Sequence, residues 1–229
     1  MDELKHILFI DIETVPQTYK YEELRPDTRN LWDTKWQYSK DISAEQHYGK
    51  AGIFAEFAKV ISIGLGYYNG KEFRVKCISG DDEKKILTEF YDLANKYFNK
   101  KEHCLCAHNG KEFDYPFLCR RFLVNGLKLP KILQIQGKKP WEIQHLDTME
   151  LWKFGDHKNY TSLNLLAHVF NIPSPKDDMD GSMVSKVYYE EKDLKKINTY
   201  CMKDVITLAR VYGRFIAAEE LNEDNIVYI

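Results

Sequence analysis

The stretch Phe9-Ile10-Asp11-Ile12-Glu13-Thr14 places two acidic residues at the end of a buried strand. We predict that strand over residues 6–12. Side chains two positions apart in a strand project to the same face, about 6.6 Å apart along the chain. Asp11 and Glu13 are therefore expected to point together, while the neighbouring isoleucines turn into the opposite layer. An isolated pair of this kind is often only a solvated strand end, so its meaning depends on the rest of the chain.

Two further acidic stretches lie in the middle and near the end of the chain. The first is Asn109-Gly110-Lys111-Glu112-Phe113-Asp114-Tyr115-Pro116-Phe117-Leu118, in which Asp114 stands between a strand and a helix. The second is Tyr200-Cys201-Met202-Lys203-Asp204, in which Tyr200 and Asp204 share one face of a predicted helix. Taken alone, Asp114 would be a helix cap, and Tyr200 a core tyrosine one turn from a solvated aspartate.

Together the three stretches offer four carboxylates and one phenol. Asp204 shares its side of the helix with apolar residues, so we expect it at the core boundary, where an unpaired carboxylate is unfavourable. Converging carboxylates repel one another by roughly 3 kcal/mol per pair at 5 Å and an effective dielectric near 20. Oxygen ligands with no His or Cys nearby favour Mg²⁺ or Mn²⁺ over zinc. The sequence therefore predicts a metal site formed by Asp11, Glu13, Asp114 and Asp204.

The bulk composition fits one soluble α/β domain. The chain has 229 residues, 44% hydrophobic and 14% aromatic, enough for a sizeable core. A formal charge of −2 argues against a general nucleic-acid coat but not against an enzyme with an acidic, metal-holding site. Five cysteines without a Cys-x-x-Cys pair predict reduced, buried thiols. No signal peptide or membrane span is recognisable, so we expect a cytoplasmic protein with no membrane partner.

Local patterns predict a mixed sheet flanked by helices in a single domain over residues 1–229. The predicted strands are 6–12, 59–68, 72–78, 104–108 and a short one at Leu146. The predicted helices are 82–98, 115–125, 161–170 and 193–221. Asn69-Gly70 predicts a hairpin turn. Residues 16–57 have no clear period, and a connection of this length is usually functional or carries small helices of its own.

With these residues in place, the chain resembles the DEDD-type 3′→5′ exonucleases, specifically the proofreading domain of B-family DNA polymerases. Asp11-Ile12-Glu13-Thr14 matches the first exonuclease motif, and Asn109-Gly110-x-x-Phe113-Asp114-x-Pro116-x-Leu118 matches the second. Tyr200-x-x-x-Asp204 matches the third, in the same order along the chain. Thr199 stands where the sister DEDDh class has a histidine, so the chain resembles the DEDDy branch. Three ordered motifs are far more specific than any one of them.

Two shorter stretches, Phe57-x-Lys59-Val60 and Asp180-Gly181-Ser182, resemble free-standing predicted exonucleases related to this polymerase domain. The resemblance implies a ribonuclease H-like fold with a five-stranded mixed sheet and a family-specific insertion at about 16–57. Since 229 residues leave no room for the polymerase domains, we expect a free-standing nuclease or one subunit of a larger assembly. A replication or repair protein is the partner expected to recruit it.

The resemblance also implies a mechanism with two Mg²⁺ or Mn²⁺ ions. Asp11, Glu13 and Asp204 would hold one ion, Asp11 would bridge to the second, and Asp114 would hold that second ion largely through water. The ions would lower the pKa of the attacking water and stabilise the leaving 3′ oxygen. Tyr200 would orient the water, because its ordinary pKa near 10 makes it a poor general base at neutral pH. The implied reaction releases nucleoside 5′-monophosphates from the 3′ end of single-stranded DNA.

Several residues are expected around the substrate. The Thr14 backbone amide and Asn109 would touch the terminal nucleotide, and Phe113 would either stack on a base or pack in the core. Loop lysines could meet backbone phosphates or remain solvated; they are Lys138, Lys139, Lys153 and Lys158. Asp147 is expected to cap a helix and is left out of the catalytic set.

Three alternatives differ in class or substrate. An exoribonuclease would keep the chemistry and change the substrate. A catalytically silent nucleic-acid-binding module would keep the fold, although all five catalytic positions are present. A glycosidase using Asp11 and Glu13 would leave the other two motifs unexplained.

Overall fold

The computed structural model describes residues 3–156, 160–173 and 179–229. In these residues six strands form one mixed sheet in the order β5-β4-β1-β2-β3-β6. The strands are β1 (Ile7–Pro16), β2 (Ala58–Asn69), β3 (Glu72–Ser79), β4 (Cys104–Ala107), β5 (Leu146–Asp147) and β6 (Ile226–Tyr228). The β1–β2 and β2–β3 pairs are antiparallel, and the other three pairs are parallel. The mixed sheet predicted from the sequence is thus confirmed.

The predicted number of five strands is wrong by one. All five predicted strands are present close to their predicted positions, and the sixth is β6, which pairs with β3 at one edge of the sheet. β6 has only three residues, too few for an alternating pattern to stand out in the sequence. It follows the last helix, which ends at Phe215 and not at Leu221 as predicted.

Eight α-helices flank the sheet within the described residues. They are α1 (Pro26–Trp36), α2 (Ala44–His47), α3 (Glu83–Tyr97), α4 (Asp114–Val124), α5 (Thr148–Lys153), α6 (Leu163–Val169), α7 (Val184–Lys186) and α8 (Leu194–Phe215). A π-helical turn, Val187–Glu191, directly follows α7. Asp82 caps α3, and Ser162 caps α6, both through a side-chain oxygen. The four helices expected from the sequence are α3, α4, α6 and α8.

The central strand β1 faces a different layer on each side. Its even-numbered residues point into the main core, which α3 and α4 cover; they are Leu8, Ile10 and Ile12. Phe9 points the other way and packs with Val205 and Leu208 of α8. Because successive side chains alternate in a strand, the odd-numbered Asp11 and Glu13 lie on the α8 side. The sequence-based expectation for these two side chains is confirmed.

Residues 17–57, between β1 and β2, form a small layer with its own apolar core. Trp32 of α1 is fully buried at its centre, and its indole N–H donates to the Ala44 carbonyl at 2.7 Å. The rings of Phe57 and Tyr48 lie edge-on to Trp32, with centroids 4.9 and 5.4 Å away. The segment carries the small helices α1 and α2, which is one of the two alternatives that its length indicated.

A buried ion pair joins the first turn of α3 to α4. The Glu83 carboxylate accepts two hydrogen bonds from the Arg121 guanidinium, at 2.8 and 2.6 Å. It also accepts one from the Val60 backbone N–H and one from the Asn125 side-chain amide, both at 2.8 Å. Arg121 donates further to the Ala55 carbonyl at 2.7 Å. Each Glu83 oxygen has two donors, so this charge is satisfied within the fold.

Candidate active site

The structure brings the five residues predicted to be catalytic into one cluster. β1 supplies Asp11, which is half-buried, and Glu13, which is only 7% exposed. The register between β1 and β2 shifts between Glu13 and Thr14, and such a bulge re-aims the side chains next to it. The acidic end of β1 therefore faces α8 at an irregular point of the sheet.

α8 carries Tyr200 and Asp204 to the same place. Val205 and Leu208 are buried against the sheet, and Asp204 is half-buried beside them. This is the core-boundary position that the sequence predicted. The Tyr200 hydroxyl donates a hydrogen bond to the Asp204 carboxylate. The two functional groups of the third acidic stretch are therefore in direct contact.

A glycine lets α8 approach this closely. Gly64 of β2 stands opposite Asp11 in the sheet register. A Cβ at Gly64 would lie 2.7 Å from the Cys201 sulfur and 2.9 Å from a Val205 methyl group, both on α8. Real Cβ atoms do not reach such distances, so any larger residue here would push α8 away from β1. Gly64 therefore contributes to the site without presenting a side chain to it.

Asp114 enters the cluster from the first turn of α4. The side chain is 4% exposed and accepts a hydrogen bond from the backbone N–H of Ile12, between the two acidic residues of β1. The loop before it turns at Asn109, whose φ of 61° is left-handed. Motif two and motif one are thus joined by a direct contact.

The electrostatics of the cluster are those of like charges held out of water. Burial raises the pKa of Asp11 well above its ordinary value, and the charge of Glu13 raises it further, with smaller contributions from Asp204 and Asp114. Burial is also the main cause of the raised pKa of Glu13, followed by the charge of Asp204. Burial raises the pKa of Asp114 to about 7. Three carboxylates of this cluster are thus harder to ionise than ordinary ones.

The pKa of the Tyr200 phenol is raised as well. Burial is the largest cause of its raised pKa, followed by the charges of Asp204, Glu13 and Asp11. A tyrosine that holds its proton this firmly is a hydrogen-bonding group and not a base at neutral pH.

The cluster is chemically suited to a divalent cation. Ligand atoms of Asp11, Glu13 and Cys201 lie within 4.8 Å of one another. Buried carboxylates with raised pKa values need either protons or a cation to balance their charge. Carboxylate oxygens are the ligands that Mg²⁺ and Mn²⁺ prefer. The residues present therefore fit a hard divalent metal ion.

One expectation about this site is wrong. The sequence suggested that no cysteine lies near the carboxylates, yet the Cys201 thiol donates to the Asp11 carboxylate at 3.4 Å and lies 3.5 Å from its backbone carbonyl oxygen. The neighbouring thiol of Cys77 on β3 donates to the backbone carbonyl of Asn198 in α8 at 3.4 Å. The available signal was the helical spacing of Cys201, Val205 and Leu208, which places the thiol on the inward side of α8.

Asp147 has more than the capping role expected from the sequence. Its carboxylate caps α5 by accepting from the N–H groups of Met149 and Glu150, at 3.0 and 3.3 Å. It also accepts from the N–H groups of Asn109 and Lys111, both at 3.0 Å. The capping prediction is confirmed, and the same side chain fixes the loop that leads to Asp114. No sequence signal links residues 36 and 38 positions apart in this way.

The residues expected to bind substrate lie around the cluster. Thr14 is half-buried, and its hydroxyl donates to the Gly52 carbonyl at 2.7 Å. The Asn109 side-chain oxygen is buried, and no donor reaches it from the described residues. A water molecule or a ligand can supply the missing donor to such a group. Phe113 is half-buried, packs on the main core and lies 5.3 Å from the Phe117 ring. The core-packing interpretation of Phe113 is therefore supported at least for one face of its ring.

The loop lysines in the described part of the chain have different surroundings. Lys138 lines a cavity together with His103 and His145, and none of the five cluster residues lines it. The Lys139 ammonium lies over the exposed Trp141 ring at 5.2 Å. Lys153 ends α5. Lys158 lies outside the described residues.

The fold is similar to that of the family B DNA polymerase from the hyperthermophilic archaeon Pyrobaculum calidifontis, with a TM-score of 0.55 at 15% sequence identity. The similarity covers 92% of this chain and 24% of the polymerase, so the chain spans about a quarter of that polymerase's length. The six-stranded mixed sheet flanked by helices resembles the ribonuclease H-like fold of polymerase B exonuclease domains.

The chain belongs to the family described as "Predicted 3'-5' exonuclease related to the exonuclease domain of PolB", which matches residues 53–227. This region includes Asp114, Tyr200 and Asp204 and begins after Asp11 and Glu13. No curated protein matches the chain. In the described part of the chain, no helix combines the length and apolarity needed to cross a membrane.

Proposed function

We propose that this protein is a metal-dependent 3′→5′ exonuclease of the DEDDy class that degrades single-stranded DNA. The observation that carries the proposal is the meeting of four carboxylates and one phenol from three distant stretches of sequence. These residues are Asp11, Glu13, Asp114, Tyr200 and Asp204. A cluster of like charges with raised pKa values is unfavourable for stability, so its presence supports a functional role.

Two Mg²⁺ or Mn²⁺ ions are the proposed cofactors. Asp11, Glu13 and Asp204 would hold one ion, and Asp11 and Asp114 the other. When bound, the ions would lower the pKa of the attacking water and neutralise the charge that develops on phosphate. The buried carboxylates supply the negative charge that retains the ions, and their exclusion from water strengthens that attraction.

Tyr200 positions the attacking water. Its hydroxyl donates a hydrogen bond to Asp204 and keeps its proton. A lone pair of the phenol oxygen therefore remains to accept a hydrogen bond from the water. The water oxygen attacks the phosphorus of the terminal phosphodiester and the water gives up one proton, while the bond from that phosphorus to the 3′ oxygen breaks. The 3′ oxygen takes up one proton in return, so one water molecule is consumed for each bond that is cut. The products are a nucleoside 5′-monophosphate and a strand with a new 3′ hydroxyl.

The terminal nucleotide is proposed to lie against motifs one and two. The unsatisfied Asn109 side-chain oxygen can accept a hydrogen bond from it, and the exposed face of Phe113 can stack on its base. The Thr14 hydroxyl is engaged with Gly52, so its backbone amide is the group proposed to face the nucleotide.

The segment between β1 and β2 is proposed to be an insertion at about residues 16–57 within a single exonuclease domain over 1–229. Tyr19 of this segment stacks on Tyr189 at 5.2 Å and donates to Glu190 at 2.7 Å. A cavity of about 480 Å³ separates the segment from Ser182 and Lys186, next to the end of β1. We propose that the segment forms one wall of the substrate groove. Replacing α1 and α2 by a short linker should weaken single-strand binding, and unchanged affinity and rate would contradict the idea.

A replication or repair protein is the proposed recruiting partner, and the cytoplasm the proposed location. The five cysteines are free thiols, which supports a reducing compartment.

The deciding experiment uses a 5′-labelled single-stranded DNA oligonucleotide with Mg²⁺ or Mn²⁺, alongside RNA of the same sequence. Wild type should shorten the DNA from its 3′ end, and EDTA or Asp11→Ala should abolish the ladder. Asp92→Ala, at an exposed aspartate of α3, is the matched control and should cut like wild type. Degradation of RNA alone would favour an exoribonuclease. Intact DNA and RNA with folded, metal-bound protein would favour a silent binding module.

A further inference from the structure

A groove of about 370 Å³ opens beside the acidic cluster and runs along α8. Its lining combines an apolar and an acidic residue, Met179 and Asp193, with Tyr200 and three lysines. The lysines are Lys195, Lys196 and Lys203. Because Tyr200 belongs both to the groove and to the cluster, the two are continuous.

The lysines follow the axis of α8. Lys196, Tyr200 and Lys203 are spaced by four and three residues, so they lie above one another on one side of the helix. Seven residues of α-helix rise about 10 Å, which is roughly two to three nucleotide steps at 3.4 Å or more each. Lys196 thus lies about one turn before the phenol and Lys203 about one turn after it, so the cations flank Tyr200 along the helix.

The nearby carboxylates are engaged in contacts within the protein. Asp193 accepts from the backbone N–H of Lys196 at 2.9 Å and so caps α8. Glu191 forms an ion pair with the Lys196 ammonium at 3.1 Å, and both side chains are more than a third exposed. A solvated ion pair of this kind is weak. A phosphate can therefore replace Glu191 as the partner of Lys196 with little loss of free energy. Among the described residues that line the groove, lysines outnumber carboxylates by three to one.

We propose that this groove binds the backbone phosphates of the retained strand, on the 5′ side of the bond that is cut. The proposal rests on the exonuclease function, because it takes Tyr200 to mark the scissile phosphate. The terminal nucleotide lies towards Asn109 and Phe113, and the strand crosses the carboxylates and leaves past Tyr200. The ligand is a single-stranded phosphodiester chain, and lysines recognise its charge without reading its bases.

The test compares two triple variants of equal charge. The groove variant is Lys195→Gln with Lys196→Gln and Lys203→Gln. The control variant is Lys84→Gln with Lys85→Gln and Lys96→Gln, which removes three exposed lysines from α3 on the other face of the sheet. Binding of oligothymidylate and oligouridylate is measured in EDTA by fluorescence anisotropy over a range of salt concentrations.

Each phosphate contact to a single strand contributes about −0.7 to the slope of log K against log salt. The slope of the groove variant should therefore be less negative than that of wild type by about 2. Its affinity should fall most at low salt. Wild type should bind an oligonucleotide with neutral methylphosphonate linkages near its 3′ end more weakly than the unmodified probe. The groove variant should bind the two oligonucleotides with similar affinity. The control variant should keep the wild-type slope and affinity for both probes.

The outcomes separate this proposal from the exonuclease function. Equal slopes in the two triple variants, or no binding of either probe by wild type, would overturn the groove while a cleavage assay with Mg²⁺ still tests the nuclease. A groove-dependent slope without any cleavage would support the groove and contradict the nuclease. With Mg²⁺ and cleavage, the groove variant should raise KM more than it lowers kcat, and the opposite split would count against phosphate binding.

Discussion

Two groups of buried charge in this protein are organised in opposite ways. The Glu83–Arg121 pair combines unlike charges, and each carboxylate oxygen has two donors from the fold. The cluster of Asp11, Glu13 and Asp114 combines like charges, and the pKa of each carboxyl is raised. Both groups are held between the same sheet and its helices, so burial alone does not distinguish them.

The difference lies in where the compensating charge comes from. Around Glu83 the protein itself supplies the cation, so the pair serves the structure. Around Asp11 the residues Glu13, Asp204 and Asp114 supply further anions, and protons or metal ions are the compensation that the proposed function requires. A buried carboxylate surrounded by its own kind is therefore the stronger sign of function.

The largest expected effect is on catalysis at the like-charged cluster. Asp11→Asn removes a charge that would touch both metal ions, and we expect kcat/KM to fall by about 10³-fold or more. Single-turnover cleavage of a 5′-labelled oligonucleotide measures this, with Asp92→Asn as the control. A loss of less than about tenfold would remove Asp11 from the metal-binding set.

The unlike-charged pair should respond in stability and not in catalysis. Arg121→Met leaves Glu83 buried without its cation, which costs about 3–5 kcal/mol. Thermal unfolding should shift down by about 2–4 °C for each kcal/mol, while the folded fraction keeps its kcat. Arg120→Met, at the exposed neighbour on α4, should leave Tm nearly unchanged. Equal Tm values for the two variants would remove the contrast between the two groups.

Tyr200 sits at the rim of the acidic cluster and tests how finely the site is positioned. Tyr200→Phe should lower kcat by about tenfold to a hundredfold, because the attacking water loses its hydrogen bond, with KM little changed. Since the phenol keeps its proton, the pH–rate profile should retain its shape. Tyr212→Phe, on the same helix, is the control. Loss of an ionisation from the profile of Tyr200→Phe would instead identify the phenol as a base.

The smallest expected effect is a pH-dependent stability of the metal-free protein. Burial raises the pKa of Asp114 to about 7, so between about pH 4 and 7 the folded state binds more protons than the unfolded state. The stability contribution of Asp114 is then present at low pH and is lost as pH rises through about 7. In EDTA at pH 8, Asp114→Asn should raise Tm by a few degrees, at about 2–4 °C for each kcal/mol.

At pH 5 this difference in Tm should shrink. Burial lowers the pKa of His108 and of His145, the latter to about 4, and these residues destabilise the fold on acidification. The difference between wild type and Asp114→Asn is therefore the informative quantity, with Asp92→Asn as the control. Millimolar Mg²⁺ should raise Tm of wild type more than that of Asp114→Asn. If the Asp114→Asn protein is instead less stable than wild type at pH 8, the Asp114 carboxylate stabilises the fold, as the Glu83 carboxylate does.

Periodicity and local motifs predicted much of this molecule. The alternation in β1 predicted that Asp11 and Glu13 share one face of the strand. The spacing of four residues predicted that Tyr200 and Asp204 share one face of α8. Both follow from backbone geometry that a sequence carries directly. The length of residues 16–57 indicated either a functional segment or small helices, and the small helices α1 and α2 are present there.

What the sequence missed depends on contacts between distant residues. The double role of Asp147 needs the position of β5 beside β4, and the contact of Cys201 with Asp11 needs the approach of α8 over Gly64. β6 owes its pairing to the edge that β3 offers and not to a pattern within its three residues. The raised pKa values depend on burial, which no local pattern measures.

The Cys201–Asp11 contact joins residues 190 positions apart, and this separation sets when the site can form. At a synthesis rate of about 5–20 residues per second, β1 is complete roughly 10–40 s before the ribosome has made the matching part of α8. The three acidic motifs cannot meet in a nascent chain before that time. A ribosome making this protein therefore carries a chain without an assembled acidic cluster until α8 has left the exit tunnel and can pack on the sheet.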